Sequence, residues 1–167
     1  MTARRIRATM FRMARLVPLT SALVVGASSA ALAQQTVTFQ IDAINQISFA
    51  GSPSLVINAA TAGSNPSSVT APATWAVTTN QTGAKITGSI GSAMPAGVTL
   101  SVSLTAPAGA ASAGSLSLST TAVDLVTGIT KVAQGALAVT YSLAATAAAG
   151  VVTSTTRTVT YTITGGT

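Results

Sequence analysis

The stretch 156-TRTVTYTITGGT-167 decides the fold. Its even positions from Thr156 to Thr164 are all threonine, whereas Val159, Tyr161 and Ile163 share the odd face with Arg157. A period of two belongs to a β-strand with one buried face, because successive Cβ atoms point to opposite sides of a pleated chain. Such a strand needs an apolar layer to lie against and a neighbour for its backbone groups.

The same rhythm recurs upstream. In 36-TVTFQIDAINQISF-49 the odd positions Val37, Phe39, Ile41, Ala43, Ile47 and Phe49 keep one phase, with Asn45 the single polar residue at that parity. The ribbon is long beside a typical strand of about 5–6 residues. It reads either as two strands broken near Asn45-Gln46 or as one strand that bends between sheets through a bulge. After a turn at Gly51-Ser52-Pro53, 54-SLVIN-58 offers a short buried strand, and 61-TAGSNPSS-68 is a polar loop. Next, 74-TWAVTTN-80 and 85-KITGSI-90 flank four residues whose Gly83 suits a positive φ, which predicts a hairpin. Beyond the turn 94-MPAG-97, 98-VTLSVSLT-105 alternates strictly, 106-APAGAASAG-114 is a loop, and 115-SLSLST-120 and 135-GALAVTYSLAAT-146 continue the pattern. The segment 122-AVDLVTGI-129 is ambiguous between a strand and a single helical turn at Ala122–Val126, and the alanine run before Gly150 reads as a strand end and loop. About eight or nine short strands separated by Gly/Pro turns predict an all-β antiparallel sandwich.

The first residues differ in kind. Arg4, Arg5, Arg7, Arg12 and Arg15 precede the apolar run 16-LVPLTSALVVGASSAALA-33, which closes on Ala31, Leu32 and Ala33. That is the pattern of a secretory signal peptide over residues 1–33, cleaved before Gln34, with residues 34–167 as a single domain. The run carries Pro18 and several small polar residues and is short for a spanning helix, so no membrane span is expected after its removal. Removal also lowers the formal charge from +6 to +1, leaving Lys85, Lys131 and Arg157 against Asp42 and Asp124. A basic surface for nucleic acid then has no residues from which to be built.

The available chemistry is narrow. The chain has no histidine, cysteine or glutamate, which removes disulfides, thiolate metal sites, imidazole bases and the usual nucleophilic triads. Asp42 and Asp124 are the two carboxylates; they read as a solvated strand residue and a turn residue, with an acid/base pair as the catalytic alternative. Lys85 and Lys131 read as solubilising groups. Phe39, Phe49, Trp75, Tyr141 and Tyr161 all lie on apolar parities and are expected in the core. Arg157 would begin the last strand on its apolar side, either as an inward charge that blunts a sheet edge or as a snorkelling group at the core rim. The tripeptide Asn80-Gln81-Thr82 matches a glycosylation sequon. No catalytic, cofactor or metal residue is assigned.

Taken together, 37-VTFQIDAINQISFAGSPSLVI-57, 74-TWAVTTNQTGAKITGSI-90 and 156-TRTVTYTIT-164 resemble small secreted bacterial Ig-like β-sandwich surface proteins, among them fimbrial-like and spore-coat-like subunits. The resemblance implies an Ig-like or pilin-like Greek-key sandwich and a structural protein displayed on the cell surface or released. The expectation is therefore a secreted, noncatalytic subunit whose partners are further copies of itself or other surface proteins. Val37, Phe39 and Ile41 in the first ribbon and Val159, Tyr161 and Ile163 in the last are the residues expected at associating strand edges; otherwise the last three fill the protein's own core. The alternative is a periplasmic or surface module that binds a polysaccharide or protein through loops 61–68 and 106–114 and through Trp75 or Tyr141.

Overall fold

The computed structural model describes residues 32–167, so the basic segment and nearly all of the expected signal peptide lie outside the described residues. Residues 32–39 are irregular and exposed. From Gln40 onward the chain forms one compact unit containing nine strands. These are β1 (Asn45–Ala50), β2 (Val69–Thr79), β3 (Ala84–Ile90), β4 (Val98–Leu104), β5 (Ala111–Ser112), β6 (Leu116–Ser117), β7 (Val123–Ile129), β8 (Val132–Ala145) and β9 (Val159–Thr164). A 3₁₀ turn at Ala147–Ala149 follows β8.

All pairings are antiparallel, and the strands divide into a five-stranded sheet in the order β1-β2-β8-β4-β6 and a four-stranded sheet in the order β5-β7-β3-β9. The all-β, two-sheet expectation and the strand number are both met. Alternation explains the division, because each long strand has one apolar row to bury. β3 is buried at every second residue, including Ala84, Ile86 and Ile90. β4 buries Leu100, Val102 and Leu104, and β8 buries Leu137, Val139 and Tyr141. These rows meet Trp75 and Val77 of β2 and Leu125, Val126 and Ile129 of β7 in a single core drawn from both sheets, a sandwich-like arrangement.

Four expectations are corrected. The segments 74–80 and 85–90 do not form a hairpin: β2 and β3 lie in different sheets, and Asn80–Gly83 carries the chain across, with Gly83 at φ 76°. Both flanks of β2 are already filled, by β1 and β8, so β3 finds its neighbours in the other layer. The first ribbon does not run from Val37; its strand begins at Asn45. Upstream, the Asn80 side chain takes the backbone groups a ladder would have used, accepting from Ile44 N at 2.8 Å and donating to Asp42 O at 2.8 Å. Residues 54–58 are not a buried strand: Leu55 and Ile57 are half-buried, but Val56 is 67% exposed and no described strand pairs with the segment. Asp124 belongs to β7 rather than to a turn, and the ambiguous 122–129 segment is strand from Val123.

β2 and β8, the longest pair, are bulged. Leu137 faces Trp75 and Gln134 faces Val77, so Gly135 and Ala136 stand opposite Ala76 alone, with Ala136 at φ 55°. Bulges of this kind sharpen the local twist that lets two sheets close over a shared core.

Candidate functional site

The two lateral sides of the sheet pair are built differently. On one side the short strands β5 and β6 and the chain between and after them cross back and forth. Ser112 Oγ donates to Leu104 O at 2.6 Å, Leu118 N to Leu100 O at 2.8 Å and Ile90 N to Ser119 O at 2.9 Å. That side is covered by its own backbone. On the other side β1 and β9 are the terminal strands of their sheets, and among the described residues each pairs with one neighbour only. They face one another across the layers, since the Phe49 ring stacks on Tyr161 with centroids 3.8 Å apart and planes 10° from parallel.

β9 shows the opening pattern directly. Thr160, Thr162 and Thr164 are exposed, while Val159, Tyr161 and Ile163 are half-buried and packed against the core. β1 has the same arrangement, with Ile47 and Phe49 half-buried. A strand in the middle of a sheet buries its apolar row more completely, as β3 does throughout and β4 from Leu100 onward; an edge strand with an uncovered flank does not. The Tyr161 hydroxyl meets the Tyr141 hydroxyl at 2.7 Å, and burial, this hydrogen bond and the neighbouring phenol together push the Tyr161 pKa well above its ordinary value of 10.0.

The residues expected at associating edges therefore fall into two groups. Val159, Tyr161 and Ile163 stand on an open edge. Val37, Phe39 and Ile41 lie outside any strand and are 75%, 86% and 78% exposed. Phe39 accordingly corrects the expectation that all five aromatics pack inside; Trp75 and Tyr141 are buried, and Phe49 and Tyr161 half-buried. Trp75, 1% exposed, donates its indole N–H to Thr105 O at 3.1 Å, so neither it nor Tyr141 offers a stacking platform to a ligand.

The ionisable groups are dispersed into structural contacts. Lys85 on β3 pairs with Asp124 on β7 at 3.0 Å, an exposed cross-strand contact of little energetic weight. Asp42 accepts from Gln40 Nε2 at 2.6 Å. Arg157 precedes β9 and fastens the chain to the turn after β3, donating to Ala93 O at 3.2 Å and, from Nη1, to Thr155 Oγ1 and Thr156 O. It is thus a rim residue whose charge is met by carbonyls. Among the described residues no group of three or more Asp, Glu, His or Cys is placed to hold a metal ion, and no helix is long and apolar enough to cross a membrane.

The Asn80-Gln81-Thr82 sequon was legible as a motif, but its structural use was not. The Asn80 amide is occupied by Asp42 O, Ile44 N and Gln81 Nε2. Comparison of the chain with protein-family models, with curated proteins and with solved structures finds no match.

Proposed function

We propose that this chain is an exported, noncatalytic structural subunit of Ig-like architecture, displayed at the cell surface or released, that associates with further copies of itself through sheet edges. The observation that carries the reading is the exposure of Val37, Phe39 and Ile41, three large apolar side chains at strand parity with no strand around them, in a protein whose β1 and β9 are also unpaired on one flank among the described residues. An extended segment with one apolar row satisfies such an edge by strand addition, its backbone completing the ladder and its side chains covering the half-buried row. The absence of histidine, cysteine and glutamate, and a formal charge of +1 once residues 1–33 are removed, support a scaffold rather than a catalyst.

Mass in solution as a function of concentration, together with electron microscopy of the exported protein, tests this. Oligomers or filaments that grow with concentration are the expected result. A protein that stays monomeric at high concentration and forms no filaments overturns the assembly reading. Deleting residues 34–43 should abolish association and leave a folded domain; if the domain unfolds instead, that segment serves its own chain.

A further inference from the structure

We propose that the four-residue crossing Asn80–Gly83 is a latch that fastens the start of β1 and the exit of β9 at the same time, so that the two open edges of the sheet pair loosen together or not at all. The crossing is short, yet three separate parts of the chain are hung on it. Toward β1, Asn80 behaves as a piece of strand: its amide donates to Ile44 O at 3.3 Å, its side-chain oxygen accepts from Ile44 N at 2.8 Å, and its side-chain nitrogen donates to Asp42 O at 2.8 Å. Toward β9, Thr82 and Thr167 exchange both backbone hydrogen bonds, at 3.0 and 3.2 Å. Toward the β7–β8 connection, Gln81 O accepts from Lys131 N at 2.9 Å and Gly83 N donates to Thr130 Oγ1 at 3.1 Å.

The two edge contacts are also joined to each other. Gln81 Nε2 donates to Asn80 Oδ1, and Thr79 Oγ1 accepts from Gln81 N while donating to Asn45 Oδ1 at 2.7 Å. Thr79 is the buried polar residue of the described core, which makes this hydroxyl costly to leave without partners. On the β9 side the fit excludes side chains: a Cβ at Gly166 would overlap the Thr82 carbonyl, and one at Gly165 would press on the Asn45 amide. Neither glycine is at positive φ, so what the pair provides is close approach of backbone to backbone. The closing Gly-Gly-Thr therefore seats between the crossing and Asn45, touching the structures that position β1 and β9 alike.

This inference does not depend on whether chains assemble, because it is read on a single molecule. Amide hydrogen exchange on the exported protein tests it reciprocally. Replacing Gly166→Val should raise exchange at Thr82 and Thr167 and also, on the far side of the crossing, at Ile44 and Asn80, by about 10-fold or more. Asn80→Ala should do the converse, raising exchange at Thr82 and Thr167 although no bond to either has been removed. Removing Thr167 alone repeats the first arm with a smaller steric change, should Gly166→Val fail to fold. If each variant frees only its own side and the other stays within twofold of the parent, the latch is overturned.

Discussion

Tyr161 is where the packing of the open flank is concentrated. It pairs with Gly88 of β3, stacks on Phe49 of β1 and meets Tyr141 of β8, so one residue joins both sheets. Its raised pKa has a definite sign in stability. The unfolded phenol ionises near 10.0 and the folded one higher, so the contribution is complete below about pH 10 and is lost as pH rises beyond it. Denaturant unfolding followed from neutral pH into that range should show stability falling above about pH 10. Tyr161→Phe should flatten the fall and cost about 1 kcal/mol at neutral pH through the lost hydroxyl pair; identical slopes in both proteins would exclude this phenol as the cause. Trp75 makes a second test, since its ring is fully buried and its N–H satisfied. Trp75→Ala should cost about 3–5 kcal/mol, read as a lower denaturation midpoint at unchanged slope, and Trp75→Phe distinctly less. Gly88 lies inside β3. A Cβ there would collide with the Leu125 side chain, so Gly88→Val should destabilise by about 1–3 kcal/mol through overpacking.

Among the elements, period-two alternation was enough to place β3, β4 and β9, β2 from Thr74 and β8 from Gly135, and the side each one buries, because burial of one apolar row is a local demand that any correct sheet must meet. Val69–Ala73 of β2 and Val132–Gln134 of β8 were not read as strand. Pairing is not local. The crossing after Thr79 has the length and the glycine of a hairpin turn, and nothing in residues 74–90 says that both flanks of β2 are taken by β1 and β8, the latter more than fifty residues further on. The first ribbon failed for a related reason: its alternation runs throughout but matches burial only from Asn45 onward, and just before that Asp42 O and Ile44 N bond to the side chain of Asn80, a partner chosen by the tertiary fold. What remains upstream is an apolar row without a strand. Replacing Val37, Phe39 and Ile41 together with asparagine should leave thermal stability within about 0.5 kcal/mol of the parent, as for exposed positions generally. The same change should prevent association. Loss of stability comparable to a core substitution would mean that these residues pack within their own chain.

At the level of the whole molecule, the described sheet pair has one flank closed by its own backbone and one flank formed by two open strands, an asymmetry that would give the proposed association a direction. The candidate edges were half legible in the sequence: Val159, Tyr161 and Ile163 could be read as an apolar row, but that β9 is terminal in its sheet follows from strand order, which the row does not encode. The forces available to join such edges are backbone hydrogen bonds and apolar contact. Charge has little part to play, because the described charges are spent on the exposed Lys85–Asp124 pair, on Arg157 held by carbonyls, and on isolated surface positions. Exposed charge interactions are screened beyond about 3 Å at 1 M salt, whereas apolar burial is not weakened by screening. Association measured by sedimentation should therefore persist, or strengthen, as sodium chloride is raised from low concentration toward about 1 M, at the upper end of that screening range. It should be indifferent to reductant, the chain having no cysteine. Oligomers that dissolve in high salt would show that charge pairing holds the copies together, and strand addition at β1 or β9 would then no longer account for them.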